Sequence, residues 1–121
     1  MAATSVLSTD AEMLAMAGEN VDATGFTDAN KTAWGIQAEN FLNMLTNYDL
    51  VTNVATLGAN FKLMLSEYVS RYVAVCAISY NMAGFTSRVE AEDMINVHLF
   101  RMKRIEKILM KPENLTLLGV L

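Results

Sequence analysis

At 121 residues the chain has the length of one domain, and its single proline and 6 glycines argue against a disordered or collagen-like protein. Its hydrophobic fraction of 53% and mean hydropathy of +0.26 indicate either an unusually apolar core or surfaces buried against other subunits. The net charge of −4 argues against sequence-independent binding of duplex DNA, and the lack of a long uncharged apolar run argues against a membrane span.

The first predicted helix runs from Asp10 to Ala17. Thr9 and Glu12 form a capping box before it, in which each side chain accepts a hydrogen bond from the other residue's backbone N–H. Gly18 then ends the helix. Residues 1–8 are expected to be a flexible N-terminus, without the basic residue or the apolar run of a signal peptide.

The second predicted helix follows a loop at residues 19–27. Thr27 and Asp28 are suitable caps for it, and it runs to about Leu45. Its apolar residues recur at helical spacing and form one stripe: Trp34, Ala38, Phe41, Leu42 and Leu45. Residues 46–58 are predicted to be a loop with room for one helical turn.

The third helix, predicted over residues 59–82, is the central element of the fold. One apolar stripe along it consists of Phe61, Leu65, Tyr68, Tyr72, Val75 and Cys76. Further apolar residues cover much of the remaining circumference: Met64, Val69, Val73 and Ile78. Because a helix that is apolar over most of its circumference is surrounded by partners, the other helices are expected to pack around this one.

A short connection within residues 80–92 joins the third helix to the fourth. Gly84 can adopt the left-handed conformation that ends a helix, and Ser87 with Glu90 forms a second capping box. The chain therefore folds back on itself, which predicts an antiparallel helix pair. The fourth helix spans about residues 88–110, with one apolar stripe: Ala91, Ile95, His98, Met102, Ile105 and Leu109.

Pro112 stops the fourth helix, and the residues after it are strongly apolar. This last segment either packs back on its own domain or extends as an arm that docks on another subunit, and we favour the arm. The sequence thus predicts an all-α fold, a small antiparallel bundle of about four helices with a long central helix and an extended C-terminal arm. Its parts are the N-terminus (1–8), the helical domain (9–111) and the arm (112–121).

No group of residues predicts catalysis, a metal site or a cofactor site. His98, the only histidine, has no second histidine or cysteine three or four residues away, which favours a structural role at a helix interface. Cys76 is the only cysteine; it is typical of a core residue and favours synthesis in a reducing cytosol. Glu90, Glu92 and Asp93 lie in the first turns of a helix, where the helix dipole stabilises negative charge. We therefore predict that the protein is not an enzyme.

Acidic and basic residues lie in different parts of the chain. The first fifty residues contain one base, Lys31, and many acids: Asp10, Glu12, Glu19, Asp22, Asp28, Glu39 and Asp49. Bases crowd the end of the fourth helix: Arg101, Lys103, Arg104, Lys107 and Lys111. This separation suits contact between the acidic edge of one copy and the basic edge of the next. For the last helix alone, a favourable arrangement of charges along the helix dipole is the simpler explanation.

Several short segments, taken in order, resemble a known family. They are Gly18-Glu19-Asn20-Val21, Gln37-Ala38-Glu39, Asp49-Leu50-Val51-Thr52-Asn53, and Tyr80-Asn81-Met82-Ala83-Gly84-Phe85-Thr86-Ser87-Arg88 leading into Glu90-Ala91-Glu92. Together they resemble the small head-to-tail connector proteins of tailed bacteriophages, also called adaptor or head-completion proteins. The resemblance covers roughly Thr9 to Leu109, and its motifs are structural rather than catalytic.

This resemblance implies a virion protein of the neck, made in the host cytoplasm. Such proteins form a homo-oligomeric ring, typically a dodecamer, below the portal; the ring extends the DNA channel and binds the next neck or tail protein. Their C-terminal segment commonly inserts into the portal, which here implies docking through Leu115, Leu117, Leu118, Val120 and Leu121. The basic residues expected to meet acidic partner surfaces are Arg101, Arg104, Lys107 and Lys111.

Two alternatives remain open on the sequence. One is a cytosolic helical adaptor or regulatory protein that binds a single partner as a monomer or dimer. The other is a small helical enzyme or ligand-binding bundle that uses His98 or Cys76 in a pocket.

Overall fold

The computed structural model describes residues 7–18, 26–80 and 88–119, and its regular structure in these ranges is entirely helical. A 3-10 turn at Val54–Thr56 lies between the second and third helices. The α-helices are α1 (Asp10–Ala17), α2 (Asp28–Thr46), α3 (Ala59–Tyr80), α4 (Arg88–Leu109) and α5 (Pro112–Leu118). The predicted all-α class is confirmed, and α1 has the bounds that its capping residues predict.

The long helix α3 is the centre of the bundle, since α1, α2 and α4 each pack against it. Its interior side chains meet residues from all three neighbours in one apolar core. The fully buried members of that core include Met13, Leu42, Leu65, Val69, Val73 and Leu109. The prediction that α3 is surrounded by partners is therefore confirmed.

The stripes predicted for α3 and α4 are buried to different degrees. On α4 the stripe faces the core, with only Ile95 partly buried. On α3, Leu65 and Tyr68 are buried, whereas Phe61, Tyr72, Val75 and Cys76 are only half-buried. Small residues occupy more of the buried side of α3 than the stripe does: Ser66, Ser70, Ala74 and Ala77. Small side chains let neighbouring helices approach closely, which hydrophobicity alone does not indicate.

Helices α3 and α4 run antiparallel, as predicted. Arg71 pairs with His98, and Glu67, one turn earlier on α3, pairs with Arg101, further along α4. Contacts that advance along one helix as they retreat along the other define an antiparallel pair. Gly84 and Ser87, on which the prediction of the turn rested, lie outside the described residues.

Leu7 and Ser8, which the sequence analysis placed in a flexible N-terminus, are both buried. The Leu7 N–H donates to Glu39 Oε2 on α2 at 2.8 Å, and Ser8 Oγ lies 2.7 Å from Ser70 Oγ on α3. This short segment is therefore held between two helices. Residues 1–6 lie outside the described part of the chain.

Glu12 has two roles at the start of α1. Its Oε1 accepts the Thr9 N–H at 2.8 Å, which completes the predicted capping box, and its Oε2 accepts the hydroxyl of Ser66 on α3. Partial burial of Glu12 acts to raise the pKa of its carboxyl, but these hydrogen bonds outweigh burial and the pKa lies below its usual value. The cap of α1 is thus also a tie between α1 and α3.

The segment after Pro112 differs from the extended arm that the sequence predicted. Residues 112–118 form the helix α5, because the fixed φ of Pro112 suits a first helical turn, where its missing N–H has no partner to lose. Leu115 and Leu118 are buried, and Gly119 ends the helix with a left-handed φ of 81°. Leu117, by contrast, is 75% exposed. Residues 120 and 121 lie outside the described residues.

Candidate interaction surfaces

The described residues leave many large apolar side chains exposed. Met44 is 82% exposed, Leu117 75% and Leu63 69%, and these three lie on three different helices. The others are Leu14, Ile36, Phe41, Val89, Val97, Leu99, Phe100 and Met110. Singly exposed apolar residues are ordinary, but clusters beside charged residues mark binding surfaces. Two clusters in which apolar and charged residues line an open cavity flank α4.

The first cluster, here called the acidic face, lies where the end of α1 meets the first half of α4. It surrounds an open cavity of about 540 Å³. Its apolar lining comes from Met16, Val89, Met94 and Val97, and its carboxylates are Glu90 and Asp93. Val89 and Val97 are both more than half exposed. The acidic face therefore combines an apolar lining with two carboxylates.

The second cluster, here called the basic face, lies between the end of α2 and the second half of α4. It surrounds an open cavity of about 370 Å³, lined by Leu45, Lys103, Glu106, Lys107 and Met110. Tyr68 on α3 donates a hydrogen bond to Glu106 Oε2 at 2.7 Å, which ties one oxygen of that carboxylate to the core. Lys103 and Lys107 are exposed and form no ion pair within the part of the chain that the structure describes.

The two faces lie on different sides of α4. A helix turns by about 100° per residue, so Val97 and Lys103, six positions apart, point about 120° away from each other. The acidic face adjoins α1 and the basic face adjoins α2. One molecule can therefore offer both surfaces at once.

The basic residues singled out in the sequence do not form one site. Arg101 binds Glu67 across the α3–α4 interface, with Arg101 Nη2 3.1 Å from Glu67 Oε2. Arg104 lies over the ring of Phe100, 5.9 Å from its centroid. Of the predicted cluster only Lys107 lines the basic face, while Lys111 is exposed at the start of α5. Lys103, outside that cluster, lines the face instead.

His98 is buried at a helix interface, as the sequence predicted, and the structure places it where three helices meet. Its Nδ1 lies 3.0 Å from Arg71 Nη1, and the ring also hydrogen-bonds the backbone of Met16 at the end of α1. Arg71 in turn donates from Nε to Glu67 Oε2 at 2.7 Å. Burial, reinforced by the Arg71 guanidinium, holds the pKa of His98 below its usual value. The ring is therefore neutral at pH 7, and its hydrogen bonds join α4 to α1 and α3.

Stability should fall as the solution becomes more acidic than pH 6.5. The pKa of His98 is lower in the folded protein than in the unfolded chain, so the unfolded chain binds the proton at a higher pH. Stability therefore begins to fall near the ordinary histidine pKa of about 6.5 and continues to fall until the pH passes below the pKa of the folded state. Arg71 is the charged group that contacts the ring, and it is itself paired with Glu67. Glu90 and Asp93 line the adjoining cavity. Urea unfolding of the wild type between pH 7.5 and pH 5 measures this.

The His98→Gln variant is the control for that prediction, because glutamine keeps hydrogen-bonding groups but does not titrate. Its urea midpoint should vary less with pH over the same range than that of the wild type. Equal slopes in the two proteins would contradict the assignment of the pH dependence to His98.

Cys76 is half-buried on α3, and burial raises the pKa of its thiol to about 11, so it is protonated at neutral pH. Among the described residues, no three metal-ligating side chains lie together, and no helix is long and apolar enough to cross a membrane. Comparison of the chain with protein-family models, curated proteins and solved structures finds no match.

Proposed function

We propose that this protein is a structural subunit of the head-to-tail connector kind, which assembles into a ring in the neck of a tailed bacteriophage. The observation that carries the proposal is the amount of exposed apolar surface on so small a helical domain, together with two faces of opposite charge. Such surface is costly in a monomer and is buried when subunits associate. The choice of a phage connector, rather than another self-associating protein, rests on the resemblance of the sequence motifs quoted above.

In this role the protein acts passively. Subunits associate side by side around the axis of the portal, and the ring extends the DNA channel toward the next neck or tail protein. A net charge of −4 per subunit suits a channel through which DNA slides, because a negatively charged lining does not bind phosphates. No catalytic residue or cofactor is needed, and none is proposed.

The portal-docking surface proposed here is narrower than the one inferred from the sequence. Leu115 and Leu118 pack against the domain, so Leu117 is the described apolar residue of the segment that is open to a partner. Val120 and Leu121 stay in the proposal as sequence neighbours beyond the described helix.

Replacing Leu117 with aspartate should abolish portal binding and leave the melting temperature nearly unchanged, since this side chain is exposed. Leu118→Asp is the matched variant at the next position. It places a carboxylate at a buried site and should cost about 2 kcal/mol or more of stability. Thermal unfolding and co-sedimentation with the portal measure the two effects. Portal binding by Leu117→Asp at the wild-type level would remove α5 from the docking surface.

Cryo-electron microscopy of the protein mixed with a portal ring from the same genome tests the proposal as a whole. A closed ring of this chain seated on the portal, with twelve copies if the family pattern holds, is the expected result. A monomer or dimer that ignores the portal would contradict it and would favour the cytosolic adaptor that binds one partner.

A further inference from the structure

We propose that the acidic face of one copy binds the basic face of the next, so that each subunit contacts one neighbour through α1–α4 and another through α2–α4. This inference rests on the proposed function, which requires self-association, and it names the two surfaces involved. The occupant of each groove is thus a second copy of this chain.

Charge complementarity is the first argument. Asp93 and Glu90 border the acidic face, while Lys103 and Lys107 line the basic face, so two copies of either face repel and the mixed pair attracts. Glu106 also lies in the basic face, where one of its oxygens accepts the Tyr68 hydroxyl; the two lysines outnumber it, so the face keeps a net positive charge.

The apolar parts of the two faces also match. Val89 and Val97 protrude at the acidic face, and Met110 with Leu45 lines the basic one. Methionine adapts its shape to a partner side chain, which suits Met110 and Met16 to a contact that closes on assembly. Apolar contact combined with complementary charges is typical of a specific interface.

The placement of the faces determines the kind of assembly. Because one face adjoins α1 and the other adjoins α2, a neighbour seated in one groove leaves the other groove of that molecule open. Contacts between two different surfaces are heterologous, and they continue from copy to copy until the rotation closes a ring. This arrangement of faces therefore favours an assembly of more than two copies.

Charge-reversal variants test the pairing. Asp93→Lys damages only the acidic face and Lys103→Glu only the basic face, and both positions are exposed, so both variants should fold. Each alone should weaken self-association by about tenfold or more. Mixed together they should assemble again, because one kind of junction is then wild type and the other joins the two reversed charges, which again attract each other. Native mass spectrometry and sedimentation velocity of the full chain give the number of copies.

Two control variants carry the same charge changes outside both faces, Glu113→Lys on α5 and Lys62→Glu at the start of α3; both positions are exposed. They should assemble like the wild type.

The possible outcomes separate the two proposals. If the wild type stays monomeric at every concentration and on the portal, self-association fails and the proposed function fails with it. If the wild type assembles but Asp93→Lys and Lys103→Glu behave like the controls, the function stands and this interface is wrong. Loss in both variants without recovery in the mixture would show that the faces bind something other than each other. An assembly that stops at two copies would overturn the head-to-tail arrangement.

Discussion

Leu65→Ala should lower the free energy of unfolding by about 2–5 kcal/mol, the range observed when a large core side chain is truncated and leaves a cavity. Leu65 is fully buried on α3, the helix against which α1, α2 and α4 all pack. Because α3 is held by packing against these three helices, the surroundings of Leu65 have little freedom to move inward and fill the space, so the cost should fall in the upper part of that range. Urea unfolding followed by circular dichroism measures it.

Leu63→Ala is the matched control for that prediction. It removes the same atoms from the same helix two positions earlier, where the side chain is 69% exposed. Its free energy of unfolding should change by about 0.5 kcal/mol or less. Equal losses at the two positions would mean that α3 is rotated relative to the arrangement described above.

Glu39→Ala should cost about 1.5–3 kcal/mol, because a buried backbone donor loses a charged partner. The carboxylate of Glu39 lies inside the bundle and accepts the Leu7 N–H, so it attaches the start of the described chain to α2. Alanine leaves that N–H without an acceptor and out of reach of water. Chemical denaturation again gives the free energy, and protease digestion reports whether the segment before α1 has come loose.

Glu39→Gln separates the hydrogen bond from the charge, since the glutamine carbonyl can still accept the Leu7 N–H. The loss should be smaller than that of Glu39→Ala, and the segment should resist protease as in the wild type. If glutamine and alanine cost the same, the charge of Glu39 rather than its acceptor oxygen holds the segment in place.

The sequence predicted the elements whose signals are local. The Thr9–Glu12 capping box marks the start of α1, Thr27 caps α2 as expected, and the 3.6-residue period identifies the buried side of α4. Pro112 was interpreted only as the stop of one helix, although proline is equally suited to the first turn of the next. Because of that interpretation, the sequence analysis predicted an extended arm where the structure has α5.

Features that depend on distant residues could not be predicted in the same way. Glu39 was grouped with the acids of the first fifty residues that suit an acidic edge, because nothing near it in the sequence indicates that the Leu7 backbone meets it in the core. The basic residues were grouped by their closeness along the chain. Helix geometry and pairing with Glu67 direct Arg101 to the α3–α4 interface, whereas Lys103 and Lys107 face α2. Neighbouring positions in a helix face different partners, so a surface must be assembled from residues on several elements.

The contacts of α1 also have a consequence for the order of events during synthesis. The Glu12 carboxylate binds Ser66, which is 54 residues further along the chain, and Ser8 meets Ser70, 62 residues further on. At about 5–20 residues per second, the ribosome completes those partners roughly 3–12 s after α1. A helix of 8 residues has little stability in isolation, so α1 is made first and reaches its final structure only after α3 exists. Until then the apolar side chain of Met13, later fully buried, stays open to water and to chaperones.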